Sequence, residues 1–334
     1  MKVVKAFSPK DLRLVEGPDP VPGNGEVLIE VRASGICGSD KWYWNVTDPT
    51  DFVAGHEVSG EVIALGPGVH RLKPGDRVAV NNVVGCGKCA ACRAGQFVRC
   101  AHRSGNDVNN GFGELVTAPE RNCLLLHDNI DYEAGCLIFD NWGTPFAAIS
   151  RGDVKNGDDV VVTGCGPIGQ AAISLSKTLG AYVIAVDPLP YRREAAKRMG
   201  ADATLSPDEK TVSTIQDLTN GDGAGTIIEC SGKSSAYDLG LSALRIGGTL
   251  VSVGEHAQVD WRPSDNVIRK HLNILGSWYT TMHQGRLVQD LMVQGKIAPS
   301  AFVTHRITLE RVPYIFGKVF DCTDDILKAV ILME

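Results

Sequence analysis

The sequence has no apolar run long enough to cross a membrane. Its longest runs, such as Tyr182–Val186 and residues 329–333, fall far short of the roughly 20 residues that span a bilayer. Residues 1–6 also lack the apolar core of a secretory signal. We therefore expect a cytoplasmic protein with no membrane partner.

Basic clusters are scarce as well. The chain has 33 Lys and Arg residues against 39 Asp and Glu, a formal net charge of −6 at pH 7 and a sequence pI near 5.8. Its longest basic cluster is the pair Arg192 and Arg193. Because affinity for a phosphate backbone requires a basic face, we expect no nucleic-acid partner.

Length and hydropathy point to a folded protein of two domains. The chain has 334 residues, of which 43% are hydrophobic and 22% are charged, and its mean hydropathy is −0.03. These values do not fit a disordered chain. At about 100–200 residues per domain, the length favours two domains that each bury a core.

The residue composition and the predicted secondary structure change near residue 158. Residues 1–125 are rich in Val, Gly and Pro, with short alternating runs between turns, which predicts a small barrel-like β-domain. After residue 158, predicted strands alternate with predicted helices, which indicates βαβ units in a doubly wound parallel sheet. The predicted strands are 160–163, 182–186, 226–229, 249–253 and 272–275, and the predicted helices are 168–179, 191–199 and 234–245. The fold class is therefore α/β.

A glycine-rich turn follows the first of these strands. Residues 159–169 read as a buried strand that runs into G-x-G-x-x-G and then into a helix. Glycines there allow a tight turn, a close approach of pyrophosphate to the backbone, and packing of the helix on the sheet. The helix N-terminus then offers N–H groups to the phosphates. The predicted dinucleotide-binding residues of this turn are Gly164, Gly166, Pro167, Ile168 and Gly169.

An acidic residue stands where the ribose would be bound. Asp187 ends the next predicted strand, 18 residues after Gly169. A carboxylate there accepts both ribose hydroxyls of NAD and repels the extra phosphate of NADP. Arg192, five residues later, is placed to lie along the adenosine ribose, and with Arg193 it leaves NADP open as an alternative. The predicted cofactor is NAD.

Four of the ten cysteines are crowded into 15 residues. Cys86, Cys89, Cys92 and Cys100 supply four soft ligands, which suits a closed tetrahedral zinc site. A ferredoxin-type cluster would have a shorter final gap followed by proline, whereas here the gap is seven residues and Ala101 follows. A site without an open position does no chemistry, so we expect this zinc to fold a protruding loop.

A second set of possible metal ligands is dispersed along the chain. It contains Cys37, His56, Glu57 and Asp140, which together offer one sulfur, one nitrogen and one or two oxygens. A catalytic zinc uses three protein ligands and keeps a position for water or substrate. Asp40 is the predicted carboxylate that holds the imidazole of His56 in one tautomer.

These residues resemble the zinc-containing medium-chain alcohol dehydrogenase superfamily over essentially the whole chain. The specific part is Gly55-His56-Glu57-x2-Gly60-x5-Gly66-x2-Val69, followed by Gly75-Asp76-x-Val78 and then by the cysteine loop and the glycine turn. Residues 35–40 with Tyr43 and Trp44 look like the sorbitol (polyol) dehydrogenase branch. Residues 137–140 look like the threonine dehydrogenase branch, and residues 303–306 resemble the family's C-terminal segment.

The resemblance implies a domain plan. It places a GroES-like β-barrel catalytic domain at 1–147, with the structural zinc lobe at 86–100, and a Rossmann NAD-binding domain at 148–281. Residues 282–334 would return to the catalytic domain, and the active site would lie in the cleft between the domains. The resemblance also implies a homodimer or a homotetramer.

The resemblance further implies that Cys37 and His56 ligate a catalytic zinc, with Glu57 or Asp140 as the carboxylate ligand. In the polyol branch the residue at the position of Asp140 is usually Glu. Because the side chain of Asp140 is shorter, the choice between Glu57 and Asp140 as the carboxylate ligand stays open. Many relatives carry a histidine five residues after the zinc cysteine, in the proton relay. Here that residue is Trp42, so the proton must leave by another route, either through Ser39 and water or through a cofactor ribose hydroxyl.

The predicted activity is zinc-dependent hydride transfer between an alcohol and NAD. We expect the substrate to be a secondary alcohol of a polyol, sugar or sugar acid, in a pocket walled by Trp42, Trp44 and Trp142. The alternative for these tryptophans is ordinary packing. An alternative substrate is a hydroxy amino acid, as for L-threonine 3-dehydrogenase. An alternative of another class is a non-catalytic regulator that binds NAD and zinc and senses redox state.

Overall fold

The computed structural model describes residues 1–255, 258–260, 262–322 and 324–333. Two residues of the predicted C-terminal segment, 323 and 334, lie outside the described residues. The chain divides into two compact units. The first contains Met1–Asp140 and Thr280–Glu334, and the second contains Asn141–Tyr279.

The strands are β1 (Lys2–Ser8), β2 (Asp11–Glu16), β3 (Glu26–Gly35), β4 (Glu57–Leu65), β5 (Arg77–Val80), β6 (Leu115–Pro119), β7 (Cys123–Leu125), β8 (Asp159–Thr163), β9 (Tyr182–Val186), β10 (Ala203–Leu205), β11 (Ala224–Glu229), β12 (Leu244–Ser252), β13 (Asn273–Gly276), β14 (His305–Ile307) and β15 (Ala329–Leu332).

The α-helices are α1 (Lys41–Trp44), α2 (Ala90–Arg93), α3 (Tyr132–Cys136), α4 (Thr144–Arg151), α5 (Pro167–Thr178), α6 (Pro190–Arg198), α7 (Thr211–Leu218), α8 (Ser234–Ala243), α9 (Met282–Val293) and α10 (Val312–Asp321). Short 3-10 turns cover Gly38–Asp40, Phe97–Arg99, Glu120–Asn122 and Leu309–Arg311, and π-helical turns cover Ile138–Gly143 and Ser264–Ile268. Among the described residues, no helix is long and apolar enough to cross a membrane.

The first unit is built on a seven-stranded sheet with strand order β14-β15-β3-β4-β5-β7, in which β6 also pairs with β3. Strand β3 alternates buried and half-buried residues, because one face packs on an apolar core that includes Val27, Ile29 and Val31. Strand β15 pairs antiparallel with β3, with Val330 opposite Gly35. The last strand of the chain therefore completes the sheet that begins near residue 26.

The second unit contains the predicted parallel sheet. Its strand order is β10-β9-β8-β11-β12-β13, and every neighbouring pair is parallel. The three valines of β8, Val160–Val162, are fully buried, as expected of a parallel strand covered by helices on both faces. Strands β9 and β10 continue to one side of β8 and β11 to β13 to the other, so the order reverses between β8 and β11. Ligands of such sheets bind at the carboxyl ends of the strands at this reversal.

Candidate catalytic and cofactor sites

The dispersed ligand set comes together in the first unit. The ligand atoms of Cys37, His56, Glu57 and Asp140 all lie within 4.8 Å of one another. Cys37 follows the end of β3, and His56 immediately precedes β4. Since β3 and β4 are antiparallel neighbours with Gly35 opposite Glu57, the two strands bring these residues side by side. Asp140 reaches the same point from the π-helical turn Ile138–Gly143, a type of turn that is frequent at functional sites.

Asp140 and Asp40 hold the two ring nitrogens of His56. The Oδ2 atom of Asp140 lies 3.1 Å from His56 Nε2 and accepts a hydrogen bond of 3.1 Å from Cys37 Sγ. On the other side of the ring, Asp40 Oδ1 lies 3.2 Å from His56 Nδ1, and Asp40 Oδ2 accepts the backbone N–H of Cys37 at 2.8 Å. The buried carboxylate of Asp40 thus orients the ring of His56 and the backbone of Cys37. The Nε2 atom of His56 then faces Cys37 and Asp140.

Glu57 has a different partner, which the sequence analysis missed. The ammonium group of Lys328 lies 2.7 and 2.6 Å from the two carboxylate oxygens of Glu57 and donates to the carbonyl of Ile36 at 2.9 Å. Both side chains are buried, at 1% and 0% exposure. A Cβ on Gly35 would stand 1.8 Å from Glu57 Oε2, so this pair requires glycine there. A lone lysine within the apolar run 326–332 was the signal in the sequence.

The electrostatics of the site follow from its burial and its opposite charges. Burial, reinforced by the charge of Asp140, raises the pKa of Cys37 to about 11. Burial lowers the pKa of His56, but the carboxylates of Asp40 and Asp140 outweigh it and raise that pKa well above its usual value. Burial raises the pKa of Asp140, but hydrogen bonding to His56 and its charge outweigh burial and hold that pKa well below its usual range. For Glu57, burial raises the pKa to about 7 against the opposing charge of Lys328.

The donor chemistry of this cluster fits zinc. The cluster offers one thiol sulfur, one imidazole nitrogen and carboxylate oxygens, close enough together to bind one metal ion. These are the ligand types of catalytic zinc sites. The His56–Asp40 contact is the carboxylate–histidine pairing that orients zinc ligands. A metal ion would bind in exchange for the thiol proton of Cys37, since the thiolate is the ligand form.

Ser39 and Trp42 are exposed residues of the short helical stretch that follows Cys37. The hydroxyl of Ser39 donates a hydrogen bond of 3.3 Å to Cys37 Sγ. Trp42 is three residues further along the same helical stretch and 51% exposed, and its ring centroid lies 5.3 Å from that of Phe52. Phe52 is itself partly exposed, and the sequence analysis did not single it out.

The other two tryptophans do not form the predicted pocket. Trp44 packs against Phe316, with ring centroids 5.8 Å apart, and lies against a buried apolar core. Trp142 is fully buried, at 0% exposure. An aromatic wall has to present its face to solvent or ligand, so the packing alternative holds for Trp44 and Trp142. The structure therefore favours packing over the expectation that Trp44 and Trp142 line a substrate pocket.

The four-cysteine loop also forms one cluster. The Sγ atoms of Cys86, Cys89, Cys92 and Cys100 lie within 4.8 Å of one another, and all ten cysteines of the chain are free thiols. Backbone N–H groups point at the sulfurs: Cys92 donates to Cys89 at 3.5 Å, and Cys86 and His102 donate to Cys100 at 3.4 and 3.3 Å. Such N–H groups lower the pKa of Cys86 to about 6, while burial raises that of Cys92 to about 12. Four sulfurs so placed fit a tetrahedral zinc ion.

The glycine turn of the second unit has the geometry that a dinucleotide requires. Gly164 has φ +83°, a conformation that favours glycine, and a Cβ on Gly169 would stand 2.0 Å from the Gly164 carbonyl oxygen. Gly166 is the N-cap of α5, and no described side chain caps that helix. Around a Cβ at Gly166, among the residues described, only Arg192 Nη1 comes within 4.0 Å. The first turn of α5 therefore leaves room and backbone donors for a phosphate.

Asp187 follows β9 beside this turn. Its carboxylate is buried and accepts two backbone N–H groups, from Cys165 and Leu189, each at 2.8 Å. Arg192 Nη1 lies 3.8 Å from Asp187 Oδ2. Arg193 donates to the backbone carbonyl of Asp187 at 2.7 Å, so it helps to close the turn. Asp187 thus shapes the glycine turn as well as presenting a carboxylate there.

Comparisons with known proteins show the family of the chain. Residues 23–128 match the family model for the alcohol dehydrogenase GroES-like domain, and residues 167–294 match the model for zinc-binding dehydrogenase. The chain is 35% identical to an L-threonine 3-dehydrogenase of Pyrococcus horikoshii, over 88% of this chain and 87% of that protein. It is 31% identical to the L-galactonate-5-dehydrogenase of Escherichia coli, over 99% and 98% of the two chains.

A solved structure gives the same fold. It is described as a short chain alcohol dehydrogenase of Escherichia coli CFT073 in complex with NADH, and it matches with a TM-score of 0.90 at 26% identity, over 100% of this chain and 99% of that one.

The chain therefore belongs to the zinc-containing medium-chain alcohol dehydrogenase superfamily, as its motifs predicted. It is an oxidoreductase that acts on CH–OH donors, and its cofactors are zinc and NAD. The GroES-like and Rossmann folds are likewise confirmed.

Proposed function

We propose that this enzyme transfers hydride between NAD and a secondary alcohol of a polyhydroxylated substrate, which is a polyol, a sugar or a sugar acid. The observation that carries the proposal is the convergence of Cys37, His56 and Asp140 into one ligand cluster, and the adjoining exposed rings of Trp42 and Phe52 support the choice of substrate. The three ligands supply a partly buried metal-binding site. The rings of Trp42 and Phe52 supply a surface for the rest of the substrate.

Cys37, His56 and Asp140 would hold the catalytic zinc, and Glu57 would not. The carboxylate of Asp140 faces both Cys37 and His56 at 3.1 Å, whereas that of Glu57 is engaged by Lys328. Three protein ligands leave one position for the alcohol. Zinc bound there supplies a Lewis acid that makes the alcohol hydroxyl more acidic, and bound NAD supplies the hydride acceptor.

Ser39 is placed to move the proton of the alcohol outward. Its hydroxyl is exposed and already donates to the sulfur of Cys37, so it lies beside the ligand set and in contact with water. Trp42 occupies the relay position of many relatives, but an indole N–H donates and does not accept a proton. A hydroxyl both donates and accepts, so Ser39 replaces the missing relay histidine.

The aromatic pair favours a substrate with several hydroxyls. The apolar C–H face of a sugar or polyol stacks on an aromatic ring, while its hydroxyls remain free for water and polar groups. Exposed Trp42, five residues after the ligand Cys37, would offer the aromatic face, and the metal site would offer the polar environment. The relative named L-galactonate-5-dehydrogenase, at 31% identity over nearly the whole chain, supports this class of substrate.

A second candidate substrate is a hydroxy amino acid. The relative named L-threonine 3-dehydrogenase is 35% identical, and the segment 137–140 that carries Asp140 resembles that branch. Such a substrate carries an ammonium and a carboxylate, and its binding would therefore depend strongly on salt concentration. Binding of a neutral polyol by stacking would not.

The experiment is NADH formation at 340 nm with a panel of polyols, sugar acids, L-threonine and simple secondary alcohols. We expect turnover with a polyhydroxylated substrate. Trp42→Ala should raise the KM for that substrate about tenfold, whereas the KM for 2-butanol should change little. Tyr314→Ala is the matched control, because Tyr314 is also an exposed aromatic, in α10, at 70% exposure against 51% for Trp42. Turnover with L-threonine alone would select the second candidate.

No turnover on the whole panel, by protein with both zinc sites filled and NAD bound, would contradict the proposal. That result would favour the non-catalytic regulator instead.

A further inference from the structure

A buried carboxylate lies at the carboxyl end of β11, where the strand order of the parallel sheet reverses. Glu229 is the last residue of β11 and is 0% exposed. Its strand neighbour is Thr163, the last residue of β8, after which the glycine turn begins. Neither the glycine motif nor the adenosine-ribose carboxylate accounts for a glutamate at this point.

The carboxylate of Glu229 organises the turn that follows it. Its Oε1 atom accepts both the backbone N–H and the hydroxyl of Ser231, at 2.8 and 2.5 Å. Its Oε2 atom accepts the N–H of Gly232 at 3.3 Å. We call residues 230–232 the β11 turn. All three groups are donors, so the position demands an acceptor on both oxygens, which a carboxylate provides and an amide does not.

The β11 turn in turn packs against the glycine motif. A Cβ on Gly164 would stand 2.7 Å from both the Cβ and the backbone N of Ser231. Cys230 donates its N–H to the carbonyl of Thr163 at 2.8 Å. The β11 turn therefore forms a wall of the crevice between β8 and β11, opposite the start of α5.

We infer that Glu229 is a positioning residue for the nicotinamide half of NAD. A dinucleotide lies across the two halves of such a sheet, one mononucleotide over each half. The half formed by β8 to β10 carries the glycine turn and Asp187, which suit the adenosine side. The half formed by β11 to β13 must then receive the nicotinamide ribose and ring, and the β11 turn is its first wall. This inference depends on the NAD site and not on which alcohol is oxidised.

The test compares a whole dinucleotide with its adenosine half alone. Kd for NADH is measured by nicotinamide fluorescence and Kd for 5′-AMP by calorimetry, on zinc-loaded protein without alcohol. We expect Glu229→Gln to weaken NADH binding about tenfold and 5′-AMP binding less than about twofold. The reason is that the NH2 group of glutamine, itself a donor, would face one of the three donor groups of the β11 turn. Equal weakening of both ligands, or of neither, would overturn the inference.

Thr219→Val is the matched control. Thr219 is buried and accepts the N–H of Gly223 at 3.0 Å, so it shapes a turn at the opposite, amino end of the same strand. It should leave the ratio of the two Kd values unchanged, and a selective loss of NADH there would also refute the role of Glu229. If Glu229→Gln does not fold, Ser231→Ala decides, since it removes one donor to the carboxylate and should weaken NADH alone about threefold. An equal loss of 5′-AMP in that variant would count against the inference.

Discussion

Replacing Lys328 with methionine removes one charge of a buried ion pair and keeps most of its volume. The two side chains are 1% and 0% exposed, so solvent does not screen the loss. Breaking such a pair leaves a buried charge without its counterion and costs about 3–5 kcal/mol. The carbonyl of Ile36 also loses a donor. We therefore expect Lys328→Met to destabilise the sheet around β3 and β15 by about this amount at pH 8.

The penalty should depend on pH in a defined direction. Burial already raises the pKa of Glu57 to about 7 despite the charge of Lys328, and removal of that charge raises it further. A carboxyl group whose pKa is raised on folding favours the folded state below its unfolded pKa, near 4.5, and loses that contribution as the pH rises through the folded pKa. The loss of stability relative to wild type should therefore be largest above pH 7 and should shrink toward pH 5, where Glu57 is neutral.

Amide hydrogen exchange of β3 and β15 measures this locally, because those strands pair at Gly35 and Val330. A loss of 3 kcal/mol accelerates exchange more than about a hundredfold relative to wild type at the same pH. Lys328→Met combined with Glu57→Gln should exchange more slowly than Lys328→Met alone, since it removes the stranded charge. Exchange within about threefold of wild type at pH 8, or a double variant no slower than the single one, would refute the reasoning.

Two further predictions concern the cysteine loop and the choice of cofactor. Cys92→Ser should lower bound zinc from two ions per chain to one and should lower the melting temperature, while Cys322→Ser, outside both clusters, should keep both ions. Elemental analysis checks this, and two ions in the Cys92 variant would contradict it. Asp187→Asn should raise kcat/KM for NADP relative to NAD by about tenfold or more, because it removes a charge that repels the 2′-phosphate. Asp202→Asn is the matched control. Asp202 also accepts a backbone N–H, at 2.7 Å, but beside the opposite end of β9. An equal change in both variants would argue that Asp187 does not select NAD over NADP.

Local signals were enough for five of the six strands of the parallel sheet in the second unit. The predicted strands 182–186 and 226–229 lie within observed strands, because continuous apolar β-branched runs bounded by turns identify buried parallel strands. The helix α7 and the strand β10 were not predicted, since β10 has only three residues and α7 buries only Thr211 and Ile215. The helix predicted at 234–245 ends earlier, and the chain turns into β12 at Leu244. Boundaries of this kind depend on packing that local periodicity does not report.

Sequence spacing by itself determined the cysteine loop and the glycine turn, because each places its groups within one short segment whose backbone geometry follows from its residues. Only the tertiary structure showed that Glu57 and Asp140 have different partners. The partner of Glu57 lies 271 residues away, at Lys328, and no local pattern specifies which buried charges meet. The same holds for the tryptophans: their residue type is equally compatible with a pocket wall and a core, and their packing placed Trp42 at the surface and Trp142 in the interior.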